Sequence, residues 1–330
     1  MTGYLGCDGG GTKTALCVVD DGGHVLATHV APSCYYLTAA PLDGIPRLRD
    51  VLSDAVAAVC ARAGTTPERL AYSFLGLPAY GEVRGDIPAI DAAVRVALGS
   101  DRFRCDNDMV CGWAGSLGGE DGINVISGTG SMTYGERAGA RARVGGWGEL
   151  IGDEGSAYWI GVRGLRAFSQ MSDGRRRPGP LLDVLRARLE LAADVDLIDL
   201  VTHRWRGERA QVAALAPLVV EAARQGDPGA GEILDDAAAE LATLVAATRQ
   251  RLGYGPGEPV PVSYSGGVFG ADQIRRAFTR ALAGRSVDYQ VRAPLFSPVL
   301  GAALYAARLA GTPLDDRARA NLRAFARNQS

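Results

Sequence analysis

The chain of 330 residues predicts about two domains, because a single hydrophobic core rarely grows to this length. Its formal net charge of −2 gives no strong positive field, so neither nucleic acid nor an anionic membrane is an expected partner. The chain shows no charged and then apolar leader and no apolar run of about 18 residues or more, so neither secretion nor membrane spanning is expected.

Cysteine usage predicts a reducing compartment, and we expect a cytoplasmic protein. The six cysteines form no CxxC pair, and several lie in apolar runs, where a thiol behaves as a small hydrophobic side chain. With only three histidines and no close Cys/His spacing, a structural zinc or iron–sulfur site has little support.

The first part of the chain predicts a β-meander followed by helices and further strands. Short apolar runs separated by glycine-rich turns predict strands at residues 4–7, 15–20, 24–29 and 71–77. Apolar residues at helical spacing predict a helix over 45–59, which Gly64 ends. A further strand ends near Cys105 and precedes a helix over 109–117.

The next part repeats the opening theme after a glycine-rich break at residues 118–122. Strands are predicted at 123–127 and 132–134, and the turn at 128–131 joins them. This second strand, turn and strand unit indicates two related halves.

The remaining chain is predicted to be mainly helical. Residues 153–258 form its longest helical part, and a strand at 259–264 follows. Further helices are predicted at 271–282 and 297–308. The amphipathic tail at 315–330 fits a solvated terminal helix better than a partner-binding helix.

Three glycine-rich turns, each after a predicted strand, are typical of an anion site. They lie at residues 8–14, 128–131 and 265–268, and consecutive backbone N–H groups in such turns can bind phosphate. Glycine makes up 44 of 330 residues, about twice its usual share of roughly 7%, which fits close backbone approach to a ligand. Taken alone, the first turn is explained equally well as a plain hairpin.

The side chains of the first turn suit a magnesium-bound phosphate. Thr12 and Thr14 can donate hydroxyl hydrogen bonds, and Asp8 can hold Mg²⁺ through water. Lys13, the only lysine of the chain, can neutralise phosphate charge. The Walker A motif does not fit, because Thr12 separates Gly11 from Lys13, and no G-x-G-x-x-G opens a βαβ unit. A Ras-like NTPase and a Rossmann dehydrogenase are therefore disfavoured.

Two levels of family resemblance follow from these motifs. The three turns resemble the two phosphate segments and the adenosine segment of the actin, hexokinase and heat-shock chaperone superfamily. The matching segments are residues 8–14, 126–131 and 264–269. More sharply, GGWGELIGDEGSAYWIG resembles the sugar-binding segment of N-acetylglucosamine kinases, which belong to the BadF/BadG/BcrA/BcrD-type ATPase family. Further matching motifs are DND at 106–108, ISGTGS at 126–131, QGDP at 225–228 and SPVLGAAL at 297–304.

The resemblance implies an α/β fold of two ribonuclease-H-like, actin-like ATPase domains, with ATP and sugar in a cleft between them. Together with the glycine-rich break, it places a first domain over residues 1–117, joined by the helix at 297–310, and a second over 118–296. The implied activity is transfer of the γ-phosphate of MgATP to the 6-hydroxyl of N-acetylglucosamine. ATP and Mg²⁺ are the implied cofactors, a small-molecule sugar is the partner, and a homodimer is the implied assembly.

The resemblance also implies roles for single residues. The ATP-binding residues would be Gly10, Gly11, Thr12, Lys13, Gly128, Thr129, Gly130, Ala213, Gly266 and Gly267, and Asp8 would be the metal residue. The sugar would contact Asp108, Gly146, Trp147, Gly148, Asp153 and Cys34. Without the resemblance, core packing would be the better interpretation of Trp147, and a helix-dipole contact that of Asp153.

Phosphoryl transfer to a hydroxyl needs a carboxylate that takes the proton, and we assign this role to Asp108. The family's catalytic aspartate lies at a strand end before a helix and ahead of the ISGTGS turn, as Asp108 does. Asp106 lies two residues away on the strand, so spacing alone leaves it open as the base. A helix N-cap contact is the structural alternative for both, and the favoured one for Asp106.

Departures from the family pattern leave the sugar open. Cys34 stands where N-acetylglucosamine kinases usually have an Asn that bonds sugar hydroxyls, so a weak thiol replaces an amide. Tyr35 and Tyr80 could reshape the acceptor pocket or be surface side chains. Glucosamine, another amino sugar or glucose therefore stay open as acceptors.

Two functions of other classes are less well supported. An ATPase that activates a partner enzyme would share an iron–sulfur cluster between subunits, and the paired cysteines of such proteins are not evident here. A non-catalytic sensor would normally lack the base, whereas Asp108 is present.

Overall fold

The computed structural model describes residues 3–37 and 44–328. The strands are β1 Gly3–Gly9, β2 Lys13–Asp20, β3 Val25–Pro32, β4 Tyr72–Leu77, β5 Phe103–Asn107, β6 Gly122–Ser127, β7 Ser131–Arg137, β8 Ala140–Gly145, β9 Val260–Ser265 and β10 Tyr289–Val291. The helices are α1 Gly44–Arg62, α2 Ile87–Leu98, α3 Met109–Leu117, α4 Ala157–Ser172, α5 Pro180–Leu189, α6 Asp196–Asp199, α7 Arg209–Ala213, α8 Ala216–Arg224, α9 Pro228–Arg251, α10 Asp272–Ala283, α11 Pro298–Leu309 and α12 Asp316–Arg327.

The chain divides into two compact units. Unit 1 contains the described residues up to Asp121 and those from Ala293 onwards, and unit 2 is Gly122–Arg292. The predicted domain limits, 1–117 with 297–310 and 118–296, differ from these by four residues at each boundary and leave out the tail after residue 310, and they stay a prediction.

Unit 1 is a five-stranded mixed sheet in the order β3-β2-β1-β4-β5. The first three strands are antiparallel, and β1, β4 and β5 run parallel. Helix α1 buries an apolar face that includes Leu48, Leu52 and Val56 in the core of this unit. At Gly6 the backbone of α11 comes so close that a Cβ would lie 2.5 Å from the carbonyl oxygen of Val299. Glycine therefore lets α11 pack directly on β1.

Unit 2 repeats this topology with a sheet in the order β10-β9-β6-β7-β8. Strands β6, β7 and β8 form an antiparallel meander, and β6, β9 and β10 run parallel. The long helix α9 is capped by Asp227, whose carboxylate accepts hydrogen bonds from the N–H groups of Ala230 and Leu181, both at 2.9 Å. The prediction of two related halves of ribonuclease-H-like topology is confirmed.

Three elements were not predicted from the sequence. Helix α2 lies in an alanine-rich stretch, although its buried residues recur at helical spacing, and β8 alternates arginine with small residues, so the apolar pattern of β8 is weak. Strand β10 has only three residues. The tail helix α12 is amphipathic as expected, but it packs its apolar face, with Leu322 fully buried, into unit 1.

All six cysteines are buried as free thiols. Within residues 3–37 and 44–328, helices long and apolar enough to cross a bilayer are absent.

Candidate active site

The carboxyl edge of the parallel strands brings two predicted site residues together in unit 1. Asp8 on β1 pairs with Gly76 on β4, which pairs with Asp106 on β5. Strand β5 ends at Asn107, so Asp108 is the first residue beyond this edge, at the start of α3. Because parallel strands end on the same side of a sheet, Asp8 and Asp108 lie near one another.

Gly76 makes the room that this arrangement needs. A Cβ at Gly76 would overlap the Sγ atom of Cys111 and lie 3.1 Å from the Cα atom of Asp108. The first turn of α3 can therefore sit directly against β4.

The electrostatics of Asp8 reflect the same proximity. Burial and, to a smaller extent, the charge of Asp108 raise the pKa of the Asp8 carboxyl to about 7, although Lys13 lowers it. Metal-binding groups of three or more His, Cys, Asp or Glu were not found among the described residues.

The hydrogen bonds at the start of α3 distinguish the two candidate bases, Asp108 and Asp106. Asp108 occupies the N-cap position, yet its side chain makes no capping hydrogen bond. Instead the Oδ1 atom of Asn107 accepts from the N–H of Met109 at 3.2 Å. The Asp106 carboxylate accepts from the N–H of Asn107 at 2.9 Å and pairs with Arg104 at 3.5 Å. Asp108 therefore does not cap α3, and Asp106 has structural partners of its own.

The first glycine-rich turn is short and open to solvent. The N–H of Gly10 donates to the carbonyl of Lys13 at 2.8 Å, and Gly11, Thr12 and Lys13 are exposed. A Cβ at Gly11 would meet nothing within 4 Å, so a ligand can approach this backbone. Thr14 was expected to donate to phosphate, but it is fully buried, and its hydroxyl accepts from the N–H of Cys34 at 3.1 Å.

Cys34 lies beneath this turn. Its side chain is 1% exposed, and its Sγ atom would lie 2.7 Å from a Cβ at Gly9. Burial raises the pKa of the thiol to about 11. The predicted contact of Cys34 with sugar stays a prediction. In the structure the buried thiol packs against the end of β1.

In unit 2 the second glycine-rich turn joins β6 to β7. The N–H of Gly128 donates to the carbonyl of Gly130 at 2.9 Å, and the carbonyl of Gly128 accepts from Ala157 at the start of α4 at 2.8 Å. Thr129 is exposed at the tip. The turn is therefore fixed by the helix that follows the predicted sugar segment.

The third turn, after β9, lies on the second. Gly266 has φ +97°, and a Cβ there would overlap the carbonyl oxygen of Ser127 and lie 2.9 Å from the nitrogen of Gly128. Gly267 is exposed, with open space where a Cβ would be. Two of the three predicted nucleotide turns thus form one continuous backbone surface in unit 2.

The predicted sugar segment forms a loop between β8 and α4. Gly146 and Gly148 have φ values of +69° and +88°, which favour glycine. The N–H of Gly146 donates to the carbonyl of Ser131 at 2.9 Å, which ties the loop to the second turn. Trp147 is 74% exposed, so the core-packing alternative for this side chain is wrong.

Asp153 lies at the inner end of this loop. Its side chain is 3% exposed, it has φ +60°, and it pairs with the guanidinium of Arg209. Burial raises the pKa of the Asp153 carboxyl, and the charge of Arg209 opposes this effect. The helix-dipole alternative does not apply, because Ser156 caps α4 by accepting from the N–H of Trp159 at 3.1 Å.

Arg209 was missed by the sequence analysis. It lies 56 residues from Asp153, at the start of α7, and no local pattern distinguishes it from the other arginines. Ala213, predicted near the adenine, ends the same short helix and is buried.

Comparisons with known proteins agree with these features. A family model described as the BadF/BadG/BcrA/BcrD ATPase family matches residues 5–306. The N-acetyl-D-glucosamine kinase of Dictyostelium discoideum is 31% identical over 288 residues, which cover 80% of this chain and 84% of that protein. The N-acetylmuramic acid/N-acetylglucosamine kinase of Clostridium acetobutylicum is 31% identical over 274 residues, 81% of this chain and 86% of that one.

A solved structure shares the fold over nearly the full length. It is described as a candidate N-acetylglucosamine kinase from Chromobacterium violaceum, with a TM-score of 0.69, 27% identity, and coverage of 94% of this chain and 99% of that chain. Since the family model spans most of the sequence, the chain belongs to the BadF/BadG/BcrA/BcrD ATPase family.

Proposed function

We propose that the protein is an ATP-dependent sugar kinase that transfers the γ-phosphate of ATP to the 6-hydroxyl of N-acetylglucosamine. The observation that carries this proposal is the position of Asp108. It directly follows the last parallel strand of unit 1, and its charge raises the pKa of the Asp8 carboxyl. Membership of an ATPase family and the named activities of two relatives support a nucleotide and a sugar as substrates.

In the proposed reaction Asp108 is the general base. Its carboxylate accepts the proton of the sugar hydroxyl while that oxygen bonds to the γ-phosphorus. The bond between the γ-phosphorus and the β,γ-bridging oxygen breaks, and ADP leaves. Phosphoryl transfer depends mainly on positioning and charge stabilisation, so a carboxylate fixed at a strand edge suits this role.

The glycine-rich turns are the proposed nucleotide site. The exposed residues Gly11, Thr12 and Thr129 would donate backbone N–H groups to phosphate oxygens, and Lys13 would add a positive charge. Gly266 and Gly267 would border the adenosine, with Ala213 nearby. Gly266 supports this assignment because it lies directly on the second phosphate turn.

Asp8 is the proposed magnesium residue. Its raised pKa marks a buried carboxyl whose charge is repelled by Asp108 and only partly offset by Lys13. A divalent cation would relieve this repulsion, and carboxylate oxygens are ligands that Mg²⁺ prefers, so the residues fit the ion. When bound, Mg²⁺ would neutralise charge on the nucleotide phosphates.

The loop at 146–148 and Asp153 are the proposed acceptor site. Trp147 offers an exposed apolar ring face to a sugar, and Asp153 offers a carboxylate for its hydroxyls. Cys34 stands where N-acetylglucosamine kinases usually have an Asn, so glucosamine or another amino sugar is the alternative substrate.

The test is a panel of N-acetylglucosamine, glucosamine, N-acetylmannosamine and glucose with MgATP, following ADP release and product mass. We expect one amino sugar to gain one phosphate, and Asp108→Asn to abolish that product while Asp106→Asn retains it. The kinase assignment fails if no sugar is phosphorylated and ATP is hydrolysed equally by the parent protein and Asp108→Asn.

We also propose a cytoplasmic location and a homodimer. Free buried thiols and a requirement for ATP support the first, and family likeness alone supports the second. Sedimentation at several protein concentrations would reveal the dimer.

A further inference from the structure

The guanidinium of Arg209 contacts three parts of unit 2 at once. One nitrogen pairs with the carboxylate of Asp153, and another lies 3.3 Å from that of Glu149. The same group packs on the second glycine-rich turn, because a Cβ at Gly130 would overlap Arg209 and lie 2.7 Å from the Oδ2 atom of Asp153. Glycine at position 130 thus allows the ion pair to form against the turn.

The ion pair between Asp153 and Arg209 has unfavourable free-energy terms that a surface ion pair lacks. Asp153 is held in the left-handed region at φ +60° and is almost wholly buried, and the Nε atom of Arg209 is buried without a hydrogen-bond partner. Strained backbone and unsatisfied buried polar atoms persist where the surrounding structure fixes them, and they are enriched at functional sites.

We propose that Arg209 is a positioning residue that holds Asp153 in the orientation in which its carboxylate accepts hydrogen bonds from the hydroxyls of the acceptor sugar. This inference rests on the proposed function, and it deepens that function by assigning a role to a residue of α7. Arg209 itself does not touch the reacting atoms in this role.

The charges around Asp153 make the role testable by pH. Arg209 on α7 and the backbone N–H groups of Ser131 and Gly148 lower the pKa of the Asp153 carboxyl. Burial, which is the largest effect, and Glu149 raise it. Without Arg209 the two raising effects are opposed by the N–H groups alone, so the carboxyl binds a proton at higher pH and stops accepting hydroxyl hydrogen bonds there.

The experiment compares Arg209→Gln, Arg209→Lys and Glu149→Gln in steady-state kinetics and in sugar binding by calorimetry across pH. For Arg209→Gln we expect KM for the sugar to rise about tenfold or more, with kcat and KM for ATP changed by less than about threefold. The acid limb of kcat/KM for the sugar should move to higher pH. Arg209→Lys should restore part of the loss, and Glu149→Gln should move the acid limb to lower pH.

Arg249→Gln is the matched control for loss of an ion pair. Arg249 pairs with Asp288 at 2.7 Å in unit 2, with both side chains 15% exposed. It should lower the melting temperature without raising KM for the sugar. If Arg209→Gln destabilises the fold, the opposite shift in the well-exposed Glu149→Gln still decides the matter.

The outcomes separate the two proposals. Unchanged sugar KM and an unmoved acid limb in Arg209→Gln, in a protein that phosphorylates sugar, overturn the role of Arg209 alone. If the parent protein binds sugar but transfers no phosphate, the kinase proposal fails, while weakened binding by Arg209→Gln still supports the positioning role. If it binds no sugar at all, both proposals are overturned.

Discussion

Asp8 and Asp108 lie at the same carboxyl edge of the unit 1 sheet, and the charge of Asp108 helps to hold the pKa of Asp8 at about 7. Gly76 lies on the strand between β1 and β5, and it allows the first turn of α3 to approach the sheet. The two carboxyls therefore share a site in which the negative charge of Asp108 makes ionisation of Asp8 less favourable.

Asp8 should make stability fall as pH rises. Its folded-state pKa of about 7 lies above the ordinary 3.8, so the folded protein holds this proton more tightly than the unfolded chain. That contribution to stability is complete below about pH 4 and is lost as pH rises through about 7. At roughly 1.4 kcal/mol per pKa unit, the loss amounts to a few kcal/mol at most.

Urea unfolding of Asp8→Asn at pH 5 and pH 8, without nucleotide or Mg²⁺, measures this effect. The variant should lose less stability than the parent protein between these pH values. Asp54→Asn, which changes an exposed carboxyl on α1, serves as control and should follow the parent. An identical pH dependence for Asp8→Asn and the parent would contradict the prediction.

Replacing the proposed base should remove catalysis and leave binding intact. Asp108→Asn keeps the shape of the side chain but cannot take a proton, so kcat should fall by about 10²–10⁴-fold, the usual contribution of general base catalysis. The Kd of ATP, measured by calorimetry, should change little. A kcat within about threefold of the parent value would exclude Asp108 as the base.

The glycine opposite Asp8 offers a steric test of the same site. Gly76→Ala places a Cβ against the Sγ atom of Cys111 and near the Cα atom of Asp108, so it should displace the start of α3 and lower kcat. Overpacking of this kind costs about 1–3 kcal/mol of stability. Cys111→Ala removes the sulfur atom, and the double variant should recover stability relative to Gly76→Ala.

Thermal unfolding of the single and double variants measures the coupling between positions 76 and 111. Additive effects would mean that the two side chains do not compete for the same space. In that case the close approach of α3 to β4 would need another explanation.

The parts of the fold that depend on local sequence patterns were predictable from the sequence. The strand, turn and strand units at 4–20 and 123–134 are visible as apolar runs with glycine between them, and the parallel strands place Asp108 at an edge. Thr14 is buried next to the exposed Lys13, because successive side chains of a strand point to opposite faces.

Arg209 and Gly266 show what the sequence could not supply. The pairing of Arg209 with Asp153 depends on where the five-residue helix α7 packs. The sequence of that helix does not indicate this position. Gly266 belongs to a predicted turn, but its contact with the turn after β6 follows from the parallel pairing of β6 and β9, which is a long-range property.

Gly266→Ala should therefore displace both the turn after β9 and the turn after β6. The substitution forces a left-handed φ of +97° on a residue with a Cβ, and that Cβ would overlap the carbonyl of Ser127. We expect a loss of roughly 2–4 kcal/mol in unfolding free energy, since backbone strain and a backbone clash add. Displacement of the turn at 128–130 should also raise KM for ATP more than KM for the sugar.

Gly270→Ala is the matched control on the same segment. Gly270 has open space where a Cβ would be and no positive φ, so the change should leave stability within about 0.5 kcal/mol of the parent. Guanidinium unfolding and ATP titration of both variants separate local strain from a general effect of added methyl groups. Equal stability of the two variants would show that the contact between Gly266 and Ser127 is not fixed in solution.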